Sequence, residues 1–357
     1  FWMGLVLTAV GLLFARSILI LLRVPADVMP QALIYLRIIF SGMFFTFGYN
    51  GVGAILRGLG DSMTPLYMLI AATLLNIILD LVSVLVLHMG VAGVAWATII
   101  AQGLSFIGSI IYLNKTHEFL KTDFRHLHFD KELFFLSLKI GLPSGIQQSL
   151  VAMGMMFMNA VVNGFGAIVM AGFSAASRID SFVGMPSMNI SMALSTFVGQ
   201  NLGAGKPERV KKGYRSALLI AMSITLVLMV VLLVFGRSLV AIFTSDPEVI
   251  AVGGRYLHVI APFYIAFTMM FITNGVIRGA GETIVPMIST LLAMWLIRVP
   301  SAVLFSSLWG EIGIWWAMPT GWIIGMVIAY SYYKTGRWKN KVVVKTRPVQ
   351  NLGMVGE

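Results

Sequence analysis

Long uninterrupted apolar runs, rather than alternating or one-sided stretches, dominate this chain. About ten of them approach or exceed 20 residues: 1–22, 31–56, 65–87, 91–113, 134–163, 168–198, 216–236, 251–276, 284–307 and 313–333. A helix rises about 1.5 Å per residue, so roughly 20 apolar residues cross a hydrocarbon core about 30 Å thick. Each run therefore predicts a membrane-spanning helix. A spanning β-barrel is excluded, because its strands alternate apolar and polar positions over about ten residues. Composition agrees: 58% of residues are hydrophobic and 11% charged, with a mean hydropathy of +0.90, whereas soluble domains carry about a quarter charged residues.

The polar islands between runs repeat. "GAILRGLGDSMTP" at 53–65 is nearly rewritten as "GVIRGAGETIVP" at 275–286, pairing Arg57 with Arg278, Gly60 with Gly281, Asp61 with Glu282 and Pro65 with Pro286. The same offset of about 221 residues lays "ARSILILL" over "GRSLVAIF", "YLRII" over "YLHVI", and "GVAGVAWA" over "GEIGIWWA". Six helices separate the copies, an even number, so both have one orientation and the repeat is parallel. Each island reads as a hairpin: Arg at a helix end, Gly to cap it, an acid near the next N-terminus and Pro in its first turn.

The expected fold class is an all-α integral membrane protein of two parallel-related six-helix bundles. Residues 1–114 form an N-terminal lobe of four helices, 115–133 a cytoplasmic linker, 134–335 a C-terminal lobe of six helices, and 336–357 a basic cytoplasmic tail. Four helices against six implies two further helices, about 85 to 90 residues, ahead of Phe1 in the complete protein.

The net charge of +11 is a topology signal rather than a nucleic-acid footprint. Alternate connections hold Arg57, Lys115, Lys121, Arg125, Lys131, the cluster "GKPERVKKGYR", Arg278 and the tail lysines and arginines, while the opposite connections hold little beyond Arg23 and Arg237. Excess Lys and Arg mark the cytoplasmic face, which places the chain in the cell membrane with a cytoplasmic C-terminus. Without cysteine, disulfide frameworks and thiolate metal sites are excluded.

Taken together, "AILRGLGDSMTP", "NIILD", "ASRIDS", "ALSTFVGQNLGAGKPERVKKG" and "GVIRGAGET" resemble the multidrug and toxic compound extrusion (MATE) family along essentially the whole chain. The resemblance implies twelve helices in two bundles around a central cavity. It also implies export of mostly cationic organic compounds in exchange for Na+ or H+.

Ionisable groups inside spanning runs are costly and are functional candidates by default. Asp80, in "LLNIILDLVSVLVL", follows Asn76 by one helical turn, so both share a face. Asp80 and Thr98 lie nine residues either side of Met89, which in an antiparallel hairpin gives them a common depth of roughly 13 Å, near mid-membrane. Oxygen ligands suit a hard cation, and a desolvated carboxylate can exchange a proton. The three side chains could equally be interhelical glue. In one branch of the family the resembling cation site uses Asn and Asp one turn apart, then Thr on the next helix, matching Asn76, Asp80 and Thr98. That branch adds an acid on its first helix, ahead of Phe1 here.

The second copy is not equivalent: the offset carries Asp80 to Ser301. Where some branches place a Glu, this chain has Gln147 and Gln148. Those two, with Asn159, Asn163 and Asp180, are candidates for a substrate cavity. Arg178 and Asp180, two apart, do not face each other on a helix, and helix pairing is an alternative role for Asp180, as a structural role is for Arg298. The methionine-rich "MGMMFMN" at 153–159 covers every face of its helix and reads as packing or lipid-facing material.

"GQNLGAGK" lacks P-loop spacing and is followed by Pro207. His117, His126 and His128 lack a further ligand at metal spacing, and His258 stands in a helix without a catalytic partner. No enzyme, cofactor or metal site is expected. The expectation is a monomeric multi-pass secondary antiporter for small organic cations, coupled to Na+ or H+, with the lipid bilayer as its surroundings and no nucleic acid. A lipid-linked precursor flippase, an intramembrane enzyme and a channel are the alternatives.

Overall fold

The computed structural model describes residues 2–22, 24–116 and 130–340. Among these there are helices, turns and no strands, as hydrocarbon demands of a chain that must satisfy its backbone polar groups internally.

The chain divides into two compact units, Phe1–His128 and Phe129–Glu357. In the first, α1 (Trp2–Leu21) precedes α2 (Met29–Ser41) and α3 (Met43–Gly58), which form one broken span bent by 46°. Then come α4 (Met63–Leu81), continued by a π-helical stretch at Val82–Val86, and α5 (Gly90–Thr116). The second unit holds α6 (Lys131–Asn163), α7 (Ala167–Gly203) and α8 (Pro207–Ala241). Next, α9 (Pro247–Ile260) passes through a 3-10 turn at Ala261–Phe263 into α10 (Tyr264–Gly279). Finally α11 (Ile284–Thr290), a π-helical stretch Leu291–Arg298 and α12 (Val299–Trp309) lead to α13 (Glu311–Thr335).

These elements match the ten apolar runs, but among the described residues eight helices, or nine with the bent pair as one span, are long and apolar enough to cross a membrane by themselves. The tenth is α7. Its 37 residues reach about 55 Å, yet Arg178, Asp180 and its Ser, Asn and Gln residues lower its hydropathy. It packs chiefly against α10, α8 and α9, so protein rather than lipid receives much of that polarity. The linker expected at 115–133 is shorter at both ends, since α5 runs to Thr116 and α6 begins at Lys131. Its middle, with His117, His126 and His128, lies outside the described residues, as do Arg23 and most of the tail.

The duplicated islands fold alike. Gly60 and Gly281 both take left-handed backbone, with φ of 94° and 86°, which glycine adopts without steric cost. Gly60 N–H donates to the Arg57 carbonyl and Asp61 N–H to the Leu56 carbonyl, each at 3.0 Å. In the second copy Gly281 N–H donates to Arg278 at 2.9 Å and Glu282 N–H to Ile277 at 3.2 Å. This pair of bonds closes a helix on a left-handed cap. The acids start the next helix: Asp61 Oδ1 accepts from Met63 and Thr64 N–H, and Glu282 Oε1 from Ile284 N–H. Asp61 lies outside the spans, and its contacts with Thr64, reinforced by Met63 N–H and the Tyr112 hydroxyl, hold its carboxyl below the usual carboxylate range.

The second unit's core is aromatic. Trp315 stacks on Phe173 at 5.6 Å and takes Tyr256 edge-on at 5.1 Å, all three buried. In the first unit Phe106, Val52, Leu56 and Leu113 form a smaller core, with Phe44 and Phe45 packed against it.

Candidate functional site

In the first unit, two close approaches fix how α4 meets α5. A Cβ on Gly93 would lie 2.7 Å from Ser83 Cβ, and one on Gly108 would lie 3.7 Å from Met68 Sδ. The helices are therefore antiparallel, with Ser83 level with Gly93 and Met68 with Gly108. On this register Thr98 is level with Ile78, about 3 Å along the axis from both Asn76 and Asp80. Counting roughly 100° per residue from the Met68–Gly108 contact, Asn76 and Asp80 turn to one side of α4 and Thr98 to the same side of α5. The three expected residues thus flank one groove.

Within that groove Asp80 Oδ1 and Asn76 Nδ2 are buried without a hydrogen-bond partner among the described residues. Thr98 donates its hydroxyl to the Val94 carbonyl at 3.0 Å, which leaves its oxygen lone pairs facing outward as acceptors. A half-turn of the Asn76 amide exchanges its nitrogen and oxygen, so this side chain can also present oxygen. Leaving such atoms unpaired costs about 1 to 3 kcal/mol per group, more for a charge. The arrangement suits a guest that completes it, and an oxygen-rich set around one carboxylate suits a monovalent cation or a proton. Along the Met63–Val86 span Asp80 sits in the last third, because the hydrogen bonds accepted by Asp61 start the helix well before the polar pair.

One neighbouring contact escaped sequence reading. Gln102, one turn beyond Thr98, accepts a hydrogen bond from the Thr46 hydroxyl of α3. Its spacing from Thr98 was the available signal.

In the second unit, Gln147 donates to the Thr290 hydroxyl at 2.8 Å, tying α6 to α11, while Gln148, Asn159 and Asn163 are exposed on α6. Asp180 is half-buried and accepts from the hydroxyls of Tyr264 and Tyr256, the latter at 3.3 Å. Arg178 points elsewhere, lying 5.7 Å from the ring centre of Phe243. Asp180 and Gln147 are thus bound to other helices of their own unit, and the five cavity candidates are not joined by hydrogen bonds to one another.

Arg298 has a larger role in the packing than the sequence indicated. It ends the π-helical stretch and is buried, with its guanidinium against the sulfur atoms of Met318, Met294 and Met155 and its Nε without a partner. Thioethers are weak acceptors but soft, adaptable packing. Met155, which reads as packing or lipid-facing material in the sequence, thus helps, together with Met294, to house a charge.

A duplicated all-helical bundle with polar side chains held at membrane depth defines the class: a multi-pass membrane transporter of the two-lobe type. The sequence profile of the family described as MatE matches residues 1–82 and 143–304. The chain is 36% identical over 331 residues to the probable multidrug resistance protein YpnP of Bacillus subtilis, covering 93% of this chain and 74% of that protein. It is 27% identical to the probable multidrug resistance protein NorM of Thermotoga maritima, covering 98% of this chain and 76% of that one. An outward-facing structure of a multidrug resistance MATE transporter superposes with a TM-score of 0.87 at 22% identity, over 95% of this chain and 76% of that one. The chain belongs to the MATE family.

Proposed function

We propose that this protein is a cation-coupled antiporter that exports organic, mostly cationic compounds by alternating access, with Asn76, Asp80 and Thr98 as ligands for the coupling Na+ or H+. The observation that carries the reading is the pair of buried, unpartnered polar atoms on Asp80 and Asn76, beside Thr98, in a member of a multidrug transporter family. Cation binding neutralises Asp80 and draws α4 and α5 together, and this favours one of two conformations; substrate favours the other. Exchange follows from that competition. The basic connections lie in the cytoplasm, with the C-terminus on the same side.

The test is dye efflux in membrane vesicles, driven by an imposed Na+ or H+ gradient and followed with a fluorescent organic cation. Asp80→Asn keeps the size of the side chain and removes its charge, and it is expected to abolish gradient-driven movement, while Thr98→Ala weakens it. Full efflux from Asp80→Asn would show that the coupling site lies elsewhere.

A further inference from the structure

The second unit carries a surface cavity of about 470 Å³ between α8, α9 and the start of α13. Its lining is split in character. Arg237, Arg255 and His258 supply the polar part, and Leu233, Val234, Val259 and Ile312 supply apolar walls.

These polar residues converge from two helices. Arg255 and His258 are three apart and share a face of α9, while Arg237 lies one turn before the end of α8. The Arg237 stem crosses Gly254: a Cβ at that glycine would come within 2.7 Å of Arg237 Cγ. One arm of Arg255 donates to Glu311 at the start of α13. Arg237 and His258 have no hydrogen-bond or ion-pair partner among the described residues, and both are exposed. Two guanidiniums against one carboxylate leave the cavity with a net positive charge.

The location narrows the occupant. α8 rises from the basic Lys206–Arg215 cluster, so its far end lies at the opposite membrane face, where basic residues are otherwise scarce. Arg255 is eight residues into α9, about 12 Å from its start, with His258 one turn deeper. Val234 at 65% exposure and Ile312 at 40% present apolar surface at the depth of lipid acyl chains. A soluble anion would satisfy the charges and leave those walls without a partner. A zwitterionic lipid would bring its own cation against Arg237.

We propose that this cavity binds one anionic phospholipid, its phosphate held by Arg237, Arg255 and His258 and its acyl chain laid along Leu233, Val234, Val259 and Ile312. The guanidinium fork matches phosphate oxygens in geometry and charge. The lipid then bridges α8, α9 and the start of α13.

The experiment uses the full chain, purified in detergent and offered equal amounts of phosphatidylglycerol and phosphatidylcholine with identical acyl chains. Retained lipid is read by native mass spectrometry. Wild type is expected to keep phosphatidylglycerol preferentially. Arg237→Gln is expected to lower that retention about fivefold, the order expected for one basic residue at an anionic lipid surface. Val234→Trp narrows the apolar wall without touching a charge, and retention of both lipids should fall. The exposed position of both side chains means that neither change should alter thermal stability in lipid-free detergent. Equal retention of the two lipids by wild type would overturn the proposal. So would an Arg209→Gln loss, at the basic face, as large as that from Arg237→Gln. Val234→Trp without effect, together with displacement of lipid by inorganic phosphate, would reassign the cavity to a small soluble anion.

Discussion

Single polar atoms carry most of the functional content of this chain. Asp80 and Asp180 are both acids within spanning segments, yet one has an unpaired oxygen and the other accepts from two tyrosine hydroxyls. Tyr264→Phe removes one of those donors and leaves part of a half-buried carboxylate unsatisfied. A loss of roughly 1 to 3 kcal/mol is expected, visible as a lower melting temperature of the purified protein. Asp61 makes a different prediction. Its hydrogen bonds to the first turn of α4 hold its folded pKa below the unfolded value. Its contribution is therefore fully present at neutral pH and disappears as pH falls through the acid range, below about 4. Asp61→Ala also loses the two hydrogen bonds that satisfy first-turn N–H groups of α4, a capping contribution worth about 1 kcal/mol. The stability gap between wild type and Asp61→Ala is expected to close on acidification, as followed by thermal melting at a series of pH values. Asp80, Asn76 and Thr98 were readable as candidates from spacing alone. Arg298 was not, because a lone arginine in an apolar run does not reveal which sulfur atoms will surround it.

At the scale of elements, the repeat shows how two copies of one hairpin diverge in packing while keeping their backbone. Gly58 and Gly279 occupy equivalent helix ends. A Cβ on Gly58 would meet nothing within 4 Å, whereas one on Gly279 would lie 2.4 Å from the Ser195 carbonyl oxygen and 2.7 Å from Val198 Cβ. Small residues let helix backbones approach this closely in membranes, and α10 packs more extensively against α7 than against any other helix. Gly279→Ala is therefore expected to cost roughly 1 to 3 kcal/mol through overpacking, while Gly58→Ala stays within about 0.5 kcal/mol. Parallel thermal denaturation of the two variants checks the contrast, and equal effects would refute the packing difference. Duplicated sequence made the hairpins legible, since Gly, acid and Pro act within a few residues of one another. The difference in packing was hidden, because Ser195 and Val198 lie some 80 residues away in the chain.

For the whole molecule, charge sets orientation and apolar length sets the number of crossings. The lack of cysteine permits a clean test of topology. A Lys206→Cys variant should be shielded from a membrane-impermeant maleimide in intact cells and react once they are opened, and Ser245→Cys should react from outside. The reverse pattern would invert the assignment. Sequence by itself determined the helical class, the positions of the spans, the duplicated hairpins and the family, because spanning length, caps and motifs are local properties read along a single stretch. Tertiary structure decided the rest. It identified α7 as a long polar helix sheltered by its neighbours, gave Asp180 its tyrosine partners, left Asp80 and Asn76 with unpaired atoms, and gathered Arg237, Arg255 and His258 around one cavity. A helix that is apolar on all sides carries no periodic mark of its inward face, so which polar groups meet, and which are left waiting for a ligand, depends on contacts between segments far apart in the chain.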